Sequence, residues 1–80
     1  MASFFPYLYQ AALALCIEAR IEAGLTQAQL AERFGQTEGF VASHESGDRL
    51  LDPAEYIAIC RAIGVDPYEL LQKAEKEVGN

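Results

Sequence analysis

The chain has 80 residues, six of them basic and twelve acidic, for a formal net charge of -6. That length makes one domain with a single modest core and leaves little room for a deep active-site cleft beside it. Hydrophobic residues at 51% and charged residues at 22% exclude a disordered or low-complexity chain, and no stretch reads as a repeat or an interdomain linker.

Residues Phe4 to Ile17 are apolar, but no basic segment precedes them and Glu18 interrupts them. They predict a helix in a cytosolic chain, and neither a secretory signal nor a membrane span. This first helix is expected from near Pro6 to Ala23, with Gly24 as its stop. Thr26 with Gln29 three residues on is a capping box for a second helix. That helix is expected to end near Phe34, where Gly35 supplies a left-handed turn. Thr37 caps a third helix, which ends around Ser46-Gly47. Asp52-Pro53-Ala54-Glu55 opens a fourth, closed by Gly64. Asp66-Pro67-Tyr68-Glu69 repeats the device and opens a fifth. No segment alternates with period two, so no strand is expected.

The helices carry apolar stripes that read as core faces. They are Leu30, Ala31 and Phe34 in the second helix, then Tyr56, Ile57, Ile59, Cys60 and Ile63 in the fourth, and Leu70, Leu71 and Ala74 in the fifth. The first helix carries two stripes. Leu8, Ala12, Leu15, Cys16, Ala19 and Ala23 form one, while Leu13, Ile17 and Ile21 form the other. Phe4, Phe5, Tyr7 and Tyr9 add aromatic bulk near its start. The second stripe is covered either by the fifth helix or N-terminal arm, or by a second subunit. Cys16 and Cys60 lack metal-ligand neighbours at a recognised spacing. They read as reduced core thiols, with a disulfide as the other reading.

Two capped helices joined by a very short turn make a helix-turn-helix unit over about residues 26–46. Its residues Gly24-Leu25-Thr26-Gln27, Leu30-Ala31, Gly35, Val41, Glu45 and Gly47 resemble the Cro/CI (XRE) repressor family. The resemblance continues through Asp48-Arg49-Leu50-Leu51-Asp52, Ala62-Ile63-Gly64-Val65-Asp66 and Leu70-Leu71, and covers roughly residues 12 to 72. It implies an all-α, five-helix, lambda-repressor-like DNA-binding domain spanning residues 1–80. It also implies a cytoplasmic protein of a bacterium or phage, bound to the nucleoid when engaged on double-stranded DNA.

By the same resemblance, Arg20 and Glu45 occupy positions of an internal ion pair between the first and third helices. Gln27 stands where the second helix approaches a phosphate. The third helix would lie in the major groove, where Glu38, Gly39 and Ser43 would read bases, with Gln36, Thr37 and Ala42 close by. Arg33 and Arg49 would serve backbone phosphates. Phe40 either touches a thymine methyl or packs on the turn. His44 faces the core and is expected to be a partly buried, hydrogen-bonded structural histidine.

The sequence departs from the family at its reading face. Gly39 offers no side chain, Ser43 discriminates poorly between bases, Glu38 repels phosphate, and Asp48 stands where a basic residue is frequent. Two functions follow. One is a sequence-specific DNA-binding regulator, a repressor working as a homodimer through Leu13, Ile17 and Ile21. The other is an acidic protein-interaction module with weak DNA affinity, an antitoxin-like protein or a regulator of another transcription factor. No nucleophile–base set, phosphate-cradling loop or metal cluster stands in the sequence, so neither an enzyme nor a cofactor is expected.

Overall fold

A computed structural model describes residues 4–79, and side chains from residue 6 onward. Five helices run in order: α1 (Phe4–Glu22), α2 (Gln27–Arg33), α3 (Glu38–Ser46), α4 (Pro53–Ile63) and α5 (Pro67–Gly79). The described residues contain no strand. The helix-turn-helix punctuation is local chemistry. Thr26 Oγ1 accepts from the Gln29 N–H at 3.0 Å, and Gln29 Oε1 accepts from the Thr26 N–H at 2.9 Å. Thr37 Oγ1 accepts from the Phe40 N–H at 3.2 Å. Asp52 and Glu55 form a second reciprocal box at the start of α4. Each satisfies helix N–H groups that have no intrahelical acceptor. Gly35 reverses the chain between α2 and α3 at φ 74. A Cβ there would meet nothing within 4 Å, so the demand for glycine is conformational rather than steric.

Helix α4 is the spine shared by two halves of the core. Its Cys60 joins Ala12, Leu15 and Cys16 of α1 with Leu70 and Ala74 of α5. Its Ile59 and Ile63 join Leu30 and Ala31 of α2 with Val41 of α3. The first half fastens α5 along α1. The second seats the α2–α3 pair on α4.

Several expectations need correction. Helix α1 starts at Phe4, two residues before Pro6. The side chains of Phe4 and Phe5 lie outside those described. Ala23 is exposed, because the α1 helix has already ended one residue earlier. Leu71 is 37% exposed, since α5 turns its Leu70 and Ala74 face to the core and leaves Leu71 at the edge. Leu8, Tyr56 and Ile57 are only half-buried. His44 is buried, with 1% of its surface exposed, and neither ring nitrogen has a hydrogen-bond partner. Phe40 packs edge-to-face on the ring, with centroids 6.2 Å apart, and the expected hydrogen bond does not form.

No helix among the described residues is long and apolar enough to cross a membrane. No group of three or more His, Cys, Asp or Glu among them is placed to hold a metal ion.

Candidate nucleic-acid interface

Helices α2 and α3 pack on one another through Leu30, Ala31 and Val41, all essentially buried. The small Ala31 permits the close crossing. Helical spacing then divides α3 into two faces. Val41 and His44 point inward, while Thr37, Glu38 and Gly39 are exposed and Ala42 and Ser43 are half-buried. Gln36 is also exposed, in the turn just ahead. A Cβ on Gly39 would meet only Thr37 Oγ1 at 3.9 Å, so no crowding requires glycine there. Its lack of a side chain leaves the backbone open to close approach.

The orientation of α3 is fixed from α1. Arg20 Nε donates to Glu45 Oε2 at 2.7 Å, and Arg20 Nη2 donates to Oε1 at 3.0 Å. Arg20 Nη1 donates to the Leu25 carbonyl at 2.7 Å. One guanidinium thus clamps α3 and the loop entering α2 together. The side chains are only 12% and 8% exposed. Gln27 Nε2 also donates to Glu45 Oε1, at 2.9 Å. Burial pushes the Glu45 carboxyl up, but the Arg20 and Gln27 hydrogen bonds outweigh it and hold the group below the ordinary carboxylate range.

The remaining candidate contacts are less free than their sequence positions imply. Gln27, expected at a phosphate, spends a side-chain donor on Glu45. Arg33 donates to the Ala62 carbonyl at 3.0 Å and so latches α2 to the end of α4. Arg49 pairs with Glu55, and its guanidinium lies 4.4 Å from the centre of the Phe40 ring. Phe40 is half-buried and sits edge-to-face on Phe34, with centroids 5.7 Å apart. Phe40 therefore packs on the turn and carries Arg49 over its ring. Around this surface Glu32, Glu38 and Asp48 are exposed carboxylates.

A family model described as helix-turn-helix matches residues 17–70. The chain belongs to the XRE-type helix-turn-helix family. A solved structure of an XRE-family like protein from Pseudomonas syringae pv. tomato str. DC3000 is 45% identical, with a TM-score of 0.90 over 95% of this chain and 93% of that one. No curated protein matches. XRE-type helix-turn-helix domains are DNA-binding regulators, typically without enzymatic activity. In this XRE-type domain α2 and α3 form the helix-turn-helix.

Some functional features escaped the sequence. The bond from Gln27 to Glu45, the stacking of Arg49 on Phe40 and the latch from Arg33 to Ala62 each join residues that no helical or capping spacing pairs. Only the Arg20–Glu45 pairing had a sequence signal, through the family pattern.

The candidate dimer residues share one side of α1. Helix α5 packs on the Ala12, Leu15 and Cys16 side. Leu13 and Ile17 are left half-buried and Ile21 is 61% exposed.

Proposed function

We propose that this protein is a sequence-specific transcriptional regulator, a repressor that occupies operator DNA as a homodimer. The observation that carries this reading is the outward face of α3, from Thr37 to Ser43, held rigidly by the Arg20–Glu45–Gln27 network. In the major groove, Glu38 accepts from a cytosine amine, Ser43 bonds to a base edge, and Gly39 admits the backbone close to the bases. Two such helices in a dimer read half-sites one helical turn apart. With Arg33 and Arg49 as the candidate phosphate contacts, a dimer offers about four of them. The salt slope of binding is then about -4 or shallower.

A second reading rests on the exposed Glu32, Glu38 and Asp48 and on the pairing of Arg49 with Glu55. These favour a protein-interaction module in which the reading face has lost its electrostatic attraction for a duplex. Selection of bound duplexes from a random library, at low and at physiological salt, separates the two. The regulator enriches a pseudo-palindromic motif. Recovery of no motif at either salt rejects it in favour of a protein partner.

The dimer places Leu13, Ile17 and Ile21 of two copies together, which accounts for an apolar stripe that the chain's own helices only partly cover. Sedimentation of the wild type and of Ile21→Glu checks it, since position 21 is exposed enough to take a charge without unfolding the domain. The wild type sediments as a dimer and the variant as a monomer. A monomeric wild type at every concentration contradicts the dimer.

A further inference from the structure

Arg49 lies in the segment between α3 and α4, and the fold holds it at both ends. Its backbone N–H donates to the Ser43 carbonyl at 3.2 Å. Its guanidinium carbon lies over the Phe40 ring, 4.4 Å from the centre. Ser43 and Phe40 both belong to α3, so Arg49 is tied to that helix at its root and at its tip. A guanidinium stacked by its face keeps its N–H edge for planar anions. Here Nη2 of that edge donates to Glu55 Oε2. Glu55 is itself held in place. Its Oε1 accepts from the Asp52 N–H at 3.0 Å, and its own N–H donates to Asp52 Oδ1 at 2.7 Å. The capping box thus uses one carboxylate oxygen and Arg49 the other. The ion pair is still open to water, with side chains 44% and 25% exposed.

We propose that Glu55 is an internal stand-in for a DNA phosphate, which parks the Arg49 guanidinium on Phe40 and gives it up to a duplex. The proposal rests on the reading of this domain as a DNA-binding regulator. Carboxylate and phosphate offer arginine the same kind of anionic oxygen. A partly exposed ion pair is weak enough to be exchanged for a phosphate contact. The exchange leaves the Phe40 stacking and the Asp52–Glu55 box in place, so one hydrogen bond changes partner. Before it, the carboxylate offsets the Arg49 charge and repels an approaching phosphate. Glu55 is therefore a positioning residue that acts on the duplex through Arg49. It lowers affinity for all sequences alike, because phosphate contacts carry no base information.

The test measures Kd against salt concentration for a mixed-sequence duplex. It compares wild type with Glu55→Gln, Asp48→Asn and Arg49→Ala, and adds Glu55→Gln in the Arg49→Ala background. Gln29 plays the Glu55 part in the box that opens α2, so Glu55→Gln keeps the cap and its melting curve stays close to that of wild type.

Glu55→Gln is expected to bind about two- to fivefold tighter for each subunit on the duplex at low salt, with a salt slope steeper by about 0.5–0.9 for each. Asp48→Asn removes an equal charge from an exposed chain neighbour of Arg49 and gives a smaller gain. In the Arg49→Ala background, the gain from Glu55→Gln falls to that of Asp48→Asn. An unchanged affinity or slope for Glu55→Gln, an equal gain for Asp48→Asn, or an undiminished gain without Arg49 would overturn the proposal and leave DNA binding standing. A Glu55→Gln protein that melts far below wild type would make Glu55 a structural cap and overturn it too. Failure of wild type and every variant to bind duplex at low salt would overturn the DNA reading and the proposal together.

Discussion

Replacing Glu45 with Ala is expected to destabilise the domain by about 3 kcal/mol and to weaken its DNA binding beyond what lost folding explains. The size follows from burial. Arg20 and Glu45 are 12% and 8% exposed, so removing the carboxylate strands a guanidinium already withdrawn from water. An exposed pair contributes about 0–1 kcal/mol, and its loss would be hard to measure. The loss reaches further here, because Glu45 Oε1 also accepts from Gln27. For a domain of this length the whole stability is about 4–12 kcal/mol, so the change consumes a large part of it. Replacing both partners with apolar residues, Arg20→Met with Glu45→Leu, removes the stranded charge and recovers most of the stability. It does not restore the bidentate geometry that orients α3, so DNA affinity stays low. Denaturant unfolding of the two single variants and the double variant measures this as a cycle. A loss below about 1 kcal/mol for Glu45→Ala would mean that the pair behaves like a surface contact. Since Glu45 titrates below its ordinary value, its contribution is present above about pH 4.5 and is lost as pH falls through the folded value.

The second large effect comes from His44. Its ring is buried on the inner face of α3 with both nitrogens unpartnered. Neutral imidazole carries one N–H donor, and leaving it unpaired costs about 1–3 kcal/mol. Burial lowers its pKa from the ordinary 6.5, opposed by Glu45 and assisted by the Arg20 and Arg49 charges. The unfolded chain therefore binds a proton that the folded one refuses. Stability is at its full value above about pH 6.5 and declines as pH falls below it, by up to about 1.4 kcal/mol per pH unit. His44→Leu keeps the volume and removes the donor. It is expected to stabilise the domain by about 1 kcal/mol at pH 7. The advantage widens on acidification between pH 6.5 and 5. Melting curves of both proteins across that range check it, and parallel pH profiles would show that His44 does not titrate as its burial demands.

Element boundaries were legible because they depend on neighbours in sequence. Thr26 with Gln29, Asp52 with Glu55, and the glycines at 24, 35, 47 and 64 announce ends that side chain and backbone settle within four residues. The helix-turn-helix was legible for the same reason, since Ala31, Gly35 and Val41 keep a spacing set by one close crossing. The family pattern added the Arg20–Glu45 pair. What stayed hidden depends on contacts that no helix or capping spacing announces. Arg33 meets a carbonyl at residue 62, and Arg49 meets Phe40 and Glu55 together. Both looked like free cations because composition records a charge and not its partner. His44 looked like an ordinary core histidine, since a sequence does not show that its neighbours offer no acceptor. Cys16 and Cys60 read as reduced core thiols or as a disulfide, and the fold places them, both free, in one buried cluster of α1, α4 and α5.

The central claim is that α3 reads DNA. Its most direct test uses the duplex recovered from the random library and measures Kd for every single base-pair change, with wild type and with Glu38→Gln. In the proposed placement Glu38 would accept from cytosine, whereas a glutamine would pair with adenine, and the substitution would also remove a charge facing phosphate. The expected result is tighter binding overall, together with a changed base preference at one position in each half-site. A uniform change in Kd, with preference unaltered at every position, would contradict the placement of α3 in the major groove.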